Sequence, residues 1–169
     1  MEEIALVDLD DRIIGYDTKE NVHRTGKLHR AFSIFIVNEG KMLIQKRNVN
    51  KYHSGGLWTN ACCSHQRKNE ELEEAIHRRL AEEIGFDCEL EEKFKFVYRT
   101  KFAEDLYEYE VDHVFLGNYS GEVVLNEEEA EEIRWISFED LKKELLERPN
   151  DFTSWFIIAA PGVLKRLEA

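Results

Sequence analysis

Residues 69–85 constrain this chain more than any other stretch. At about 100° per residue, Leu72, Ala75, Ile76, Leu80 and Ile84 fall on one broad face of a helix, and such a face must be buried against another layer. Asn69 offers an N-cap, Glu70, Glu71, Glu73 and Glu74 suit the positive end, and Gly85 supplies a stop. Two charged residues, Arg79 and Glu83, fall in the middle of the apolar face. A charge inside an apolar stripe is costly unless it is paired or used. The pattern therefore reads either as a partly buried i,i+4 ion pair or as part of a site, and we favour the site.

The segments around the helix read mainly as strands. Residues 4–7 and 12–15, joined by Asp10-Asp11, form a short hairpin, and the polar segment 17–27, which contains His23, is expected to be loop. Residues 28–37 are rich in aromatic and branched side chains, and Asn38-Glu39-Gly40 turns that strand into a second one at 41–46. A polar loop, 47–56, follows. Residues 94–102 and 106–116 are strands across a short acidic turn, 120–125 is a weaker strand, and 127–132 is a solvated acidic loop. A short strand at 133–136 precedes a helix begun by Ser137, with Asp140 completing an approximate capping box, and that helix ends before Pro149. A last helix, 153–167, should be interrupted or kinked near Pro161-Gly162. Strands and helices mix without regular βαβ alternation, so one layered α+β domain is expected over residues 1–169.

Composition narrows the function. The chain has 169 residues, 43% of them hydrophobic, which is enough for a substantial core. No apolar run reaches the roughly 18 residues of a membrane span, and the acidic N-terminus does not read as a signal peptide, so the cytoplasmic compartment is the expectation. Three cysteines make a poor disulfide framework and fit a reducing environment. A net charge of −12 argues against a nucleic-acid surface, and it requires any anionic substrate to meet local cations or a bound metal.

In the segment 57–65, strand alternation places Thr59, Ala61, Cys63 and His65 on one face and Asn60, Cys62 and Ser64 on the other. Cys63 and His65 form a plausible reactive or metal-binding pair, although a small buried Cys beside a surface His fits the same pattern. Glu108 and Glu110 share a face of their strand, an arrangement that persists most naturally around a cation. His23, His29 and His65 supply imidazoles from three separate segments. Three His with two Glu would suit zinc or manganese more than magnesium. His53, His77 and His113 read as ordinary surface or structural residues. Lys19, Arg47, Lys51 and Arg79 are the cations available to an anion site.

One further pattern lies on the helix. Ser64, Glu70, Arg78 and the run Arg79 to Phe86 resemble the Nudix box, G-x5-E-x7-R-E-U-x-E-E-x-G-U, with Ser64 in place of the first glycine and Arg79 in place of the glutamate after the arginine. In Nudix hydrolases that glutamate helps hold magnesium, so its replacement implies diphosphate binding without hydrolysis. From about Ile4 to Leu167 the chain resembles the type 1 isopentenyl-diphosphate delta-isomerases of the Nudix superfamily. The resemblance rests on Leu28 to Ser33, Trp58-Thr59-Asn60 through Cys63-Ser64-His65, Tyr107 to Glu110, Arg78-Arg79 and Trp155; family members commonly have proline where Gln66 stands.

The resemblance implies an α/β/α sandwich with a mixed sheet and an N-terminal extension. It implies a zinc or manganese site at His23, His29, His65, Glu108 and Glu110, and Glu83 as a holder of the magnesium that arrives with substrate. Lys19, Arg47, Lys51 and Arg79 would bind the diphosphate. Cys63 and Glu110 would face opposite sides of the substrate double bond, Tyr98 would hydrogen-bond near that glutamate, and Trp155 would shield a carbocation. The expected partner is a small-molecule diphosphate, with no nucleic acid and a monomer or weak homo-oligomer as the assembly. The alternative is a Nudix pyrophosphohydrolase acting on a diphosphate-linked substrate.

Overall fold

Strand β3 (His29–Asn38) is apolar along nearly its whole length because both of its faces are covered. The computed structural model describes residues 2–168. Around β3 stand β1 (Glu3–Val7), β2 (Ile13–Thr18), α1 (Lys19–Thr25), β4 (Lys41–Arg47), β5 (Trp58–Thr59), β6 (Cys62–His65) and α2 (Leu72–Ile84). The chain continues through β7 (Leu90–Ala103), β8 (Leu106–Asn118), β9 (Ala130–Ser137), α3 (Phe138–Glu147), a 3-10 turn at Pro149–Asp151, and α4 (Ser154–Glu168). Phe35 and Val37, with Met42 and Ile44, pack against Leu141 of α3 and Phe156, Ala160 and Leu164 of α4. Ile34, Ile36 and Leu43 point the other way, onto Ala75, Ile76, Leu80 and Ile84 of α2. Ile76, Leu80 and Ile84 are fully buried, each contributing about 1.5–3 kcal/mol from burial. The result is an α+β molecule with helices on both faces of a mixed sheet.

The sheet topology creates the place for a site. One edge of β3 runs parallel to β8 from His29↔Glu110 to Val37↔Asn118. Along the other edge, β4 pairs only at Ile36 to Asn38, and β6 pairs at Ala31 to Ile34. Strand β4 therefore parts from β3 and continues against β5 and β9. A cavity opens at this parting, with β3, β6 and β8 contributing side chains to its floor.

Several expectations need correction. The segment 17–27 is not loop: Thr18 accepts from the Asn21 N–H, Gly26 adopts φ 76°, and the residues between form α1. Asn69 does not cap α2. It lies at φ 65°, and the helix begins at Leu72 behind a capping box of Glu71 and Glu74. Residues 120–125 form no strand. The acidic run 127–132 is only partly loop, since β9 starts at Ala130, and β7 and β8 form a longer hairpin than expected. Helix α4 runs through Pro161 without interruption, because Ala159, Ala160, Val163 and Leu164 anchor it to the core while Pro161 lies exposed. Alternation in 57–65 breaks between β5 and β6, so Ala61 joins Cys62 in the core under α2.

Candidate active site

Four elements deliver the metal-type ligands. Helix α1 sets Lys19 and His23 one turn apart, and His23 Nδ1–H donates to the Lys19 carbonyl at 2.6 Å. His29 Nδ1–H donates to the Lys27 carbonyl at 3.0 Å. With both Nδ1 atoms committed as donors, each Nε2 presents a lone pair. Strand β6 brings His65, and β8 brings Glu108 and Glu110. The three imidazole centroids lie 5.0–5.4 Å apart. One ligand atom from each of His23, His29, His65 and Glu108 lies within 4.8 Å of the others. Glu110 approaches His29 Nε2 at 3.4 Å and His65 Nε2 at 3.8 Å.

All five side chains are buried, and His23 Nε2, His29 Nε2 and Glu108 Oε2 have no hydrogen-bond partner. Lone pairs turned toward carboxylate oxygens in a dry pocket repel unless a cation lies between them. The donor set fits a divalent metal, and outer hydrogen bonds already fix the tautomers of His23 and His29. Burial pushes His29 down to about 4 and His65 also well down, so both remain neutral imidazoles at pH 7. Burial favours the neutral form of Glu108, but His23 and His53, each 3.0 Å from Oε1, outweigh it and hold this carboxyl ionised. Burial and the charges of Glu108 and Asp112 push Glu110 up.

Cys63 lies on the same cavity. Its thiol donates to Asn60 Oδ1 at 3.1 Å and accepts from Trp155 Nε1–H at 3.2 Å. Asn60 cannot flip to suit another arrangement, because its Nδ2 already donates to the Ile34 and Cys62 carbonyls. Burial, then Asp112 and Glu83, raise the Cys63 thiol to about 12. Ser33 Oγ, 3.8 Å from that sulfur, donates to Asp112, which burial lifts to about 7. Tyr98 stands opposite Glu110 in the β7–β8 register, yet its hydroxyl pairs with Ser154. Burial raises it to about 12.

The four expected cations line one side. Arg79 donates to Glu83 at 2.9 Å, Glu82 at 2.9 Å and Glu129 at 3.3 Å, and its Nε donates to Ser64 Oγ at 3.1 Å. The i,i+4 ion pair of this helix face is present, and both of its members line the cavity. Lys51 pairs with Glu129 at 2.6 Å, the Arg47 guanidinium lies 5.2 Å from the Trp155 ring centroid, and burial lowers Lys19. Glu83 is buried and receives Arg79, Gln45 Nε2 at 3.2 Å and Cys62 Sγ at 3.1 Å.

Sequence reasoning missed several residues here. His53, read as ordinary surface or structural, is 7% exposed and donates to Glu108. Glu129, read as solvated, faces the cavity. Asp112, Gln45 and Tyr52 complete the walls, and Asn60 lies buried behind Cys63. Only Asp112 carried a readable signal, continuing the alternation of Glu108 and Glu110.

The NUDIX domain family model matches residues 27–156. The chain is 47% identical over 164 residues to isopentenyl-diphosphate Delta-isomerase 2 of Aromatoleum aromaticum, covering 96% of this chain and 87% of that protein. It is 47% identical over 156 residues to isopentenyl-diphosphate Delta-isomerase of Burkholderia multivorans, covering 92% and 89%. A crystal structure of a Deinococcus radiodurans protein, 18% identical, superposes with a TM-score of 0.71 over 87% of this chain and 90% of that one, which speaks for the fold alone. A mixed sheet between helix layers, a box helix carrying Arg79 and Glu83 inward, and identity near one half over almost the whole chain place this protein in the Nudix superfamily and, within it, in the isopentenyl-diphosphate delta-isomerase family.

Proposed function

We propose that the protein interconverts isopentenyl diphosphate and dimethylallyl diphosphate by adding a proton at one carbon and removing one at another. The observation that carries this reading is the placing of Cys63, Glu110 and Trp155 around one buried cavity, beside cations suited to a diphosphate. The curated relatives bear the same activity in their names.

Protonating an unactivated alkene makes a tertiary carbocation, so the chain must hold a proton ready, exclude water and stabilise positive charge. Lys19, Arg47, Lys51 and Arg79 bind the diphosphate, fix the alkene toward the far wall and keep the leaving group from departing. Cys63 keeps its proton at neutral pH, because burial disfavours the thiolate. Glu110 is its partner across the double bond: burial alone raises it, but a cation at the His/Glu cluster would favour its carboxylate, which takes up the proton leaving the second carbon, so that the pair holds one proton before and after turnover. The Trp155 indole supplies cation–π stabilisation of about 2 kcal/mol in a desolvated site, roughly tenfold in rate for each 1.4 kcal/mol. His23, His29, His65, Glu108 and Glu110 would hold zinc or manganese, and Glu83 would hold the magnesium that comes with substrate; bound there, such ions would supply fixed positive charge to the carboxylates and the diphosphate.

The hydrolase alternative has less support. Arg79 sets a guanidinium against Glu82 and Glu83, the carboxylates a hydrolytic metal cluster would use. Incubation with isopentenyl diphosphate and magnesium, with allylic product and released phosphate measured together, tests the reading: allylic product without phosphate is expected, and phosphate alone refutes it. Chelation should remove activity, and zinc or manganese should restore it. Full activity in a preparation free of both metals would refute the His/Glu assignment.

A further inference from the structure

His53 carries a role that neither the box nor the ligand set accounts for. It lies in the loop 48–57, which turns back over the site. That loop is pinned from outside: Asn48 N–H donates to the Glu129 carbonyl at 3.1 Å, Asn48 Nδ2 to the Glu127 carbonyl at 2.9 Å, and Val49 N–H to Glu131 Oε1 at 2.7 Å. It is also tight within. A Cβ on Gly55 would meet the Val49 carbonyl oxygen at 2.5 Å, and Ser54 and Gly56 take φ 54° and 79°. This geometry drives the His53 imidazole inward.

The ring is then held on every side. It stacks on Phe102 with centroids 4.2 Å apart and planes 2° from parallel, and it meets Trp155 edge to face at 5.8 Å. Its Nδ1 faces Ser54 Oγ at 3.1 Å, where the hydroxyl donates. That fixes Nε2 as the N–H, which donates to Glu108 Oε1 at 3.0 Å. His23 Nε2 stands 3.0 Å from the same oxygen. His53 is therefore the imidazole that donates to Oε1, since His23 turns only a lone pair toward it, while Oε2 has no protein partner and faces His29 Nε2 at 3.7 Å.

We propose that His53 is a positioning residue: its Nε2–H fixes the carboxylate of Glu108 so that this side chain meets a divalent metal together with His23, His29 and His65, and its ring braces Trp155 beside Cys63. The inference rests on the metal reading of that cluster. A carboxylate free to turn about its own axis tilts its plane, and both oxygens, away from the cluster part of the time, whereas a single outer hydrogen bond removes that freedom. Losses of such outer partners weaken metal binding about 10–100-fold.

The test uses the whole chain, stripped of metal and titrated with cobalt(II), with binding read from the metal's absorption. His53→Phe keeps a ring against Phe102 and Trp155 and removes the donor; His53→Gln keeps an N–H of similar reach and removes the ring. His53→Phe should bind cobalt about 10–100-fold more weakly, while His53→Gln stays within about threefold of the parent chain, with both folded by circular dichroism. At saturating metal, His53→Gln should lose kcat rather than KM, because the indole wall is loosened while the diphosphate cations are untouched. Equal cobalt affinity in His53→Phe and the parent overturns the proposal. So does equal weakening in both variants, which would mean packing alone. Should His53→Phe not fold, His53→Leu supplies the same donor-free comparison. A parent chain that binds no cobalt refutes the metal reading itself, and a parent that binds cobalt but makes no allylic product refutes only the proposed reaction.

Discussion

Adjacent in the chain, Cys62 and Cys63 face opposite layers, and the chemistry of each follows from its neighbours. Cys62 is fully buried against α2 and donates to Glu83, and Cys63 lies between Asn60 and the Trp155 N–H. Cys63→Ala should lower turnover by about 10²–10⁴-fold, as expected for a lost proton donor or acceptor, with folding and metal content unchanged. Cys62→Ala should cost about 1–2 kcal/mol of stability, from one hydrogen bond and a little packing, and retain most activity. An inactive, folded Cys62→Ala beside an active Cys63→Ala would overturn the assignment. The alternation that separates the two cysteines was legible in the sequence, even though Ala61 breaks it. Arg79 presents a second case. The two departures from the Nudix box touch each other, since Ser64 Oγ accepts from Arg79 Nε. Sequence inspection found both residues and could not pair them. Arg79→Glu would gather carboxylates where an anion must dock, so substrate affinity should fall at least about tenfold, or 1.4 kcal/mol. Unchanged affinity would leave Arg79 a structural partner of Glu83 and Glu129.

Elements were legible where periodicity spoke and illegible where tertiary partners decided. Helix α2 and strands β3, β4 and β8 followed from apolar spacing. Helix α1 did not, because a seven-residue polar helix has no apolar stripe to read; Thr18 and Gly26 were the signals, and only the structure shows them acting as caps. The loop 48–57 hid His53 for a similar reason, since nothing local reveals that a turn folds inward over Glu108. Glu129 was lost within an acidic run whose other glutamates are exposed. In α4, Pro161 reads as a break, but the helix persists because its apolar face is anchored on both sides of the proline. Pro161 is exposed and lacks the N–H that would bond one turn back. Pro161→Ala should therefore stabilise the protein by about 1–3 kcal/mol in denaturant unfolding. A destabilised variant would mean that a bend at Pro161 is required to seat Phe156 and Trp155.

At the scale of the whole molecule, both faces of one sheet are covered while its strands part at one place, and ionisable groups gather where they part. Burial sets the pH behaviour of that place. His29 is depressed to about 4, so between the ordinary imidazole value of 6.5 and about 4 the unfolded chain takes up a proton that the folded chain refuses. Its contribution is complete above pH 6.5 and is lost as pH falls toward 4, amounting to about 3 kcal/mol. Metal held by His29 and His65 should accordingly persist through pH 6.5 and leave only nearer pH 4, as followed by dialysis at fixed pH and metal analysis. Loss centred at pH 6.5 would show the imidazoles to be solvated. In the proposed isomerisation a proton enters the substrate at one carbon and another leaves at a second. Isopentenyl diphosphate turned over in heavy water tests it most directly, with products read by nuclear magnetic resonance. The expected product is dimethylallyl diphosphate carrying deuterium in a methyl group, with the diphosphate intact. Phosphate release without allylic product, or allylic product free of deuterium, would contradict it.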